Sequence, residues 1–212
     1  MRFIDAIRQM RGRPARIPGC SRMDFPQFLV EMGCKVGAEI GVYKAEYTER
    51  FCQAGLKMYA IDPWMAFPGQ GRTQQVQGRQ DFLYGHACRT LAPYGLSPED
   101  GTIIRKTSME AVHDFRDGSL DFVYIDGDHS FRHIAADIYE WERKVRSGGV
   151  VSGHDYFNTR AASRNIVCQV EAVVDAYTRA FEIDNWFVFG LTDPAEEPNR
   201  KERFLSWMWI KK

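Results

Sequence analysis

Residues 35–62 read KVGAEIGVYKAEYTERFCQAGLKMYAID. KVGAEIGV, over 35–42, has the composition of a short buried strand, and AEYTERFCQAG follows as a helix that stops at Gly55, a residue that readily takes the left-handed turn at a helix end. KMYAID, over 57–62, is a second strand ending on an acid. Strand, helix, strand within so few residues is the unit of a sheet covered by helices.

The same alternation continues outward. From Pro63 a polar stretch rich in Pro, Gly and Gln contains one helix, predicted from Gln75 to Leu91, and TIIRK at 102–106 resumes as a third strand. LDFVYID, 120–126, is almost wholly apolar until its last residue, as expected for a central strand buried on both faces. Ile134, Ile138, Trp141 and Val145 then fall on one helical stripe. SGGVVSGHD, 147–155, supplies a turn and a fifth strand, and Val167, Val170, Val174 and Tyr177 mark another amphipathic helix. NWFVFGL and RFLSWMWIKK, joined by a polar loop with Asp193 and Pro194, read as a terminal antiparallel hairpin. Five βα units with right-handed crossovers predict an α/β fold: a Rossmann-like, doubly wound, mostly parallel sheet with a C-terminal antiparallel hairpin. The expected division is an N-terminal helical arm over 1–34 and one domain over 35–212.

Composition narrows the partners. Lys plus Arg equals Asp plus Glu at 28 each, so no net field gathers nucleic acid or an anionic membrane. The exception is local: Arg2, Arg8, Arg11, Arg13, Arg16 and Arg22 crowd the first residues, a pattern expected of a solvated or oligomer-clasping arm, which leaves room for a homo-oligomer. Apolar residues at 44% are enough for a core, and five scattered cysteines without a CxxC pair read as reduced thiols. With no apolar run of membrane length and no secretory pattern, the expected location is the cytoplasm.

In open parallel sheets the ligand crevice lies beyond the carboxyl ends of the strands. Glu39, Gly41, Val42 and Tyr43 end the first strand and Asp62 the second; Thr107 and Ser108 follow the third, Asp126, Asp128 and His129 the fourth, His154 and Asp155 the fifth. Each acid alone could cap a helix; five polar edges together point to a site. Asp62 follows Glu39 at close to the ~20-residue spacing at which an acid reaches ribose hydroxyls, which implies an adenosine-containing ligand. The turn GAEIGVYKAE lacks the GxGxxG that brings a pyrophosphate to backbone N–H groups, so a phosphate-free ligand with an amino-acid end fits better than NAD.

Four blocks, VGAEIGVYKAEYTERF, YAIDPW, FVYIDGDHSF and GGVVSGHDY, spread over about Lys35 to Asp155, resemble the class I S-adenosylmethionine-dependent methyltransferases, in the group of macrolide sugar O-methyltransferases and cephalosporin-hydroxylase-like proteins. The resemblance implies S-adenosylmethionine as cofactor and O-methylation of a small hydroxylated acceptor, a sugar or a phenol. It assigns the cofactor to Glu39, Gly41, Val42, Tyr43, Asp62, Ser108, Met109 and Asp126. It makes Asp126 a ligand of a divalent ion such as magnesium or manganese, with His154 and Asp155 completing the set, and His129 the general base. Adjacent parallel strands, roughly 4.8 Å apart, would bring Asp126 and Asp155 within reach of one ion. His154 stands where the sugar-modifying relatives usually carry an acid, and imidazole suits magnesium poorly. A metal-free site using His129 and His154 is therefore the competing expectation.

Two rival functions share the architecture: a nicotinamide-dependent oxidoreductase, and a catalytically silent methyltransferase-like binding module. Trp64, Phe67, Tyr156 and Phe157 are candidate acceptor-pocket walls, and Trp64 to Arg72 a candidate lid. The His129/His133 spacing, without HExxH, is expected to be coincidental, and His86 and His113 to be ordinary histidines.

Overall fold

The computed structural model describes residues 2–67, 76–157, 159, 167–191 and 204–212. The order is α1 (Phe3–Gln9), β1 (Ala15–Pro18), α2 (Phe25–Glu31), β2 (Val36–Ile40), α3 (Glu46–Gln53), β3 (Lys57–Ile61), α4 (Gln77–Leu91), β4 (Ile103–Ile104), α5 (Ser108–Ala111), β5 (Leu120–Ile125), α6 (Phe131–Lys144), β6 (Val145–Gly153), α7 (Val170–Ala180), β7 (Trp186–Leu191) and β8 (Ser206–Ile210). Among the described residues eight strands form one sheet in the order β1-β7-β8-β6-β5-β2-β3-β4. Only β8 runs against the rest, pairing antiparallel with both β6 and β7. The expected Rossmann-like, mostly parallel sheet with a terminal antiparallel hairpin is present.

Each face of the sheet carries its own core. Phe122, Tyr124, Val150, Phe187 and Phe189 point to the side covered by α1 to α4. Their neighbours Val123, Ile125, Val151, Val188 and Trp207 point to the side of α6 and α7, where Ile134, Ile138 and Trp141 are buried as their spacing predicts. The strand period of two thus explains why LDFVYI, apart from Asp121 near its start, is apolar on both faces.

Several details differ from expectation. Residues 1–34 include a strand as well as helices: β1 pairs parallel with β7, Ala15 opposite Phe187. Phe3 and Phe25 close on Phe189 at ring-centroid distances of 4.8 and 5.1 Å. The arginines of this segment mask an apolar stripe of Phe3, Ile4 and Ile7 that is buried against the sheet. Val145 opens β6 instead of closing α6, and Val167 precedes α7 and is exposed. β8 slots between β6 and β7, so the hairpin's second strand lies nearer the sheet centre than its first. Asp193, Pro194 and the greater part of the candidate lid lie outside the described residues.

Candidate functional site

Chain order reverses direction across β2: β3 and β4 extend to one side, β5 and β6 to the other. At this switch point Gly41 follows β2 with φ +92°, and a Cβ there would stand 2.2 Å from the carbonyl oxygen of Asp126. Only glycine tolerates both the left-handed conformation and that approach. Asp126 N–H donates to the carbonyl of Ile40 at 2.7 Å, so the ends of β2 and β5 are clamped together. Among the described residues, four of the five non-glycine positions with positive φ, Tyr43, Ala45, Trp64 and Asp155, stand along this edge of the sheet. Such strained positions collect at functional sites.

The first half of the crevice is a hollow of about 250 Å³ whose lining includes Arg22, Glu39, Gly41, Tyr43, Tyr47 and Asp126. Glu39 is buried and accepts a short hydrogen bond from the Thr48 hydroxyl of α3. Burial pushes its carboxyl up to about 8, against the pull of Thr48 and with a further push from Asp126. Asp62 accepts from the backbone N–H of Tyr43 at 2.9 Å and of Trp64 at 2.8 Å, one on each oxygen. It braces two strained residues and keeps a lone pair on each oxygen for a ligand. Burial raises its carboxyl, while those N–H groups draw it back down. Val42 is buried and Tyr43 about half exposed.

Ser108 sits deeper than its position suggested. Its hydroxyl accepts from Trp141 Nε1 at 2.8 Å and donates to the buried Asp137, so it is committed to the protein. The cap of α5 is Thr107, in a reciprocal capping box with Glu110. Met109 packs against the core on the α6 side. Asp137, on α6, was not singled out by sequence. Burial raises its carboxyl to about 6, and it lies under the Asp126–Gly127 turn: a Cβ on Gly127 would be 3.7 Å from its Oδ2.

The second half gathers Asp126, His129, His154 and Asp155. His129 Nε2 lies 2.9 Å from Oδ2 of Asp155 and 3.5 Å from Oδ1 of Asp126. Burial alone would lower the pKa of this imidazole, but the two carboxylates overrule it and raise it to about 10. In the same way burial would raise Asp155, yet His129 and His154 hold it well below the usual carboxylate range. His154 Nδ1 faces Asp155 Oδ1 at 3.3 Å and Asp126 Oδ1 at 3.9 Å.

One ligand atom each from Asp126, His154 and Asp155 lie within 4.8 Å of one another, a spacing suited in size to one ion. Hydrogen bonding opposes it. Arg22 Nη1 lies 3.1 Å from His154 Nε2, and a guanidinium only donates, so Nε2 accepts and the ring's proton is on Nδ1, facing the carboxylates. A ligand nitrogen needs its lone pair. In this arrangement His154 has none to offer.

Arg22 is the residue sequence reading placed elsewhere. It reaches the crevice from the turn before α2, its guanidinium 4.3 Å over the Tyr47 ring and its carbonyl accepting from Tyr47 Oη at 2.7 Å. A basic run carries no signal that separates this arginine from its solvated neighbours. Of the candidate pocket walls, Trp64 is buried with Nε1 donating to the Tyr43 carbonyl, and Tyr156 is buried with its hydroxyl on Asp175. Both are packing residues here. Phe157 stacks on Phe204 at 4.3 Å, and Phe67 is half-buried. His133 turns to Ser130 and Asp128, away from His129; His113 is exposed, and His86 contacts the Lys44 carbonyl. A larger hollow of about 770 Å³ lies along β3 and β4 and contains none of the clustered residues.

The model of a methyltransferase domain family matches residues 38–156, from β2 through the His154–Asp155 pair. The chain belongs to this methyltransferase family. Its strand order and switch-point crevice are those described above. In shape the methyltransferase is similar to the O-methyltransferase TomG from Streptomyces achromogenes, solved with S-adenosylmethionine, at 11% identity and TM-score 0.58 over 90% of this chain and 79% of that one. It is also similar to an O-methyltransferase from Bacillus cereus solved with S-adenosylhomocysteine, at 16% identity and TM-score 0.51 over 90% and 80% of the two chains. A curated relative, the uncharacterized protein y4gI of Sinorhizobium fredii, is 27% identical over 138 residues, 61% of this chain. The match spans 13% of that relative's length. No helix among the described residues is long and apolar enough to cross a membrane.

Proposed function

We propose that the enzyme transfers the methyl group of S-adenosylmethionine to a hydroxyl of a small acceptor, a phenol or a sugar. The observation that carries this reading is the double position of Asp126, which lines the cofactor hollow and lies 3.5 Å from His129 Nε2. A proton acceptor therefore stands one side chain from the cofactor, where an acceptor oxygen must lie to attack the methyl carbon. The new O–C bond forms as the S–C bond breaks, the acceptor proton passes to His129, and S-adenosylhomocysteine leaves.

Asp155 orients the His129 ring, and Glu39 and Asp62 hold the methionine and ribose ends of the cofactor. Because both carboxylates keep His129 protonated in the free site, it serves as base only after its proton has gone to solvent. The positive charge that steadies the acceptor oxygen has two candidate sources, a divalent ion on Asp126, His154 and Asp155 or the guanidinium of Arg22. Metal assistance would need the one His154 lone pair, which is committed to Arg22 here.

Incubation with S-adenosylmethionine and a panel of phenols and sugars, read as S-adenosylhomocysteine formed, tests the reading. His129→Ala is expected to lower turnover by roughly 10²–10⁴-fold while leaving S-adenosylhomocysteine affinity nearly intact. An unchanged rate removes His129 from the mechanism, and affinity for NAD with none for S-adenosylmethionine sinks the reading as a whole.

A further inference from the structure

We infer that Arg22 takes the place of a divalent metal in this site: by donating to Nε2 of His154 it keeps the Asp126–His154–Asp155 cluster from coordinating an ion and supplies a fixed positive charge in its stead. The tautomer of His154 enforces the exclusion. Neutral imidazole has one N–H and one lone pair. With Nη1 of Arg22 at 3.1 Å, Nε2 must present its lone pair, so Nδ1 carries the hydrogen and directs it toward Asp155 at 3.3 Å and Asp126 at 3.9 Å. An ion shared with those carboxylates would bind Nδ1, which requires the hydrogen to move to Nε2, where it would point at a second donor. The ion and the guanidinium are mutually exclusive neighbours of one ring.

Arg22 is also held in place independently of His154. Its guanidinium lies 4.3 Å over the Tyr47 ring, and its own carbonyl accepts from Tyr47 Oη, so both ends of the residue are tied to α3. Glu39 and Asp126, both acceptors, share its hollow with Lys44, and Tyr124 lies close by. A fixed guanidinium there does by charge alone part of what a Lewis acid does for a developing oxyanion. It does so without needing a ligand set. Arg22 acts on the cluster through His154 and is a positioning residue in that respect.

The inference concerns the cluster alone and stands whichever acceptor is methylated, so its test uses neither cofactor nor acceptor. Manganese is titrated into the whole protein and followed by electron paramagnetic resonance. Wild type is expected to show no saturable binding at millimolar ion, whereas Arg22→Met, which keeps bulk over Tyr47, gains affinity by about tenfold or more, and the gain disappears in Arg22→Met/His154→Ala. Saturable wild-type binding that His154→Ala abolishes would overturn the inference, as would an Arg22→Met protein with no gain. Should Arg22→Met not fold, nitrogen-15 NMR of the wild-type histidines decides alone. A His154 ring protonated on Nδ1 and bare on Nε2 supports the proposal, and the opposite tautomer refutes it.

Discussion

A Cβ on Gly41 would stand 2.2 Å from the carbonyl oxygen of Asp126, so the two strands that flank the switch point meet at backbone contact. Asp126 also donates its N–H to Ile40, which leaves the Asp126 backbone no freedom to withdraw.

Gly41→Ala is therefore expected to destabilise the fold and distort the cofactor hollow together. The left-handed φ alone costs roughly 1–3 kcal/mol for a non-glycine residue, and the collision adds to it. Urea unfolding should show the loss, and calorimetry with S-adenosylhomocysteine an affinity reduced by more than about tenfold. An alanine variant with wild-type stability and affinity would show that the strands are not held this closely.

Glu39 predicts a proton coupled to cofactor binding. Its carboxyl, at about 8 in the free protein, is mostly protonated at pH 7. A cationic cofactor end beside it favours the carboxylate, so binding should release up to one proton, and affinity should rise as pH climbs toward 8. Calorimetry in two buffers of different ionisation heat counts the protons. Glu39→Gln should abolish the release, and proton uptake by wild type would contradict the assignment.

Asp62 holds two strained backbone residues with two oxygens. Asp62→Asn replaces one acceptor with an NH₂ that faces an N–H, at a cost of about 1–3 kcal/mol. Thermal unfolding should shift downward and cofactor affinity fall with it. A variant that loses affinity at unchanged stability would mean that the carboxylate serves the ligand alone.

Asp137 makes stability pH-dependent on the other side of the crevice. Its folded carboxyl is raised to about 6 from an ordinary value of 3.8, so the protonated form is the one the fold prefers. The stabilisation is complete below about pH 4 and is lost as pH rises through 6, on the order of 2–3 kcal/mol in all. Asp137→Asn should remove that slope, whatever constant offset it adds. Parallel stability curves for the two proteins between pH 4 and 7 would exclude the effect.

Much of the fold was legible because its signals are local. The two-residue period of LDFVYI and the stripe of Ile134, Ile138 and Trp141 are set by neighbours in the chain, and the structure places each as its spacing implies. β1 escaped notice because four residues, Ala15–Pro18, with an arginine and a proline among them, carry too little pattern to read as a strand. Ser108 and Asp137 escaped for another reason. Their bond joins residues 29 apart on different helices, and nothing in either local sequence announces the partner.

The sequence by itself determined that strands and helices alternate, that polar residues collect at the carboxyl ends of the strands, and that the pyrophosphate fingerprint is missing. Those follow from composition and spacing over a few residues, and they suffice for the sheet and its crevice. Only the tertiary structure decided which arginine of a basic run enters the site and which nitrogen of His154 keeps its lone pair. Arg22 and His154 are separated by 132 residues. A hydrogen bond needs its atoms within about 3 Å, and only the folded sheet and the helices packed on it bring such distant residues that close.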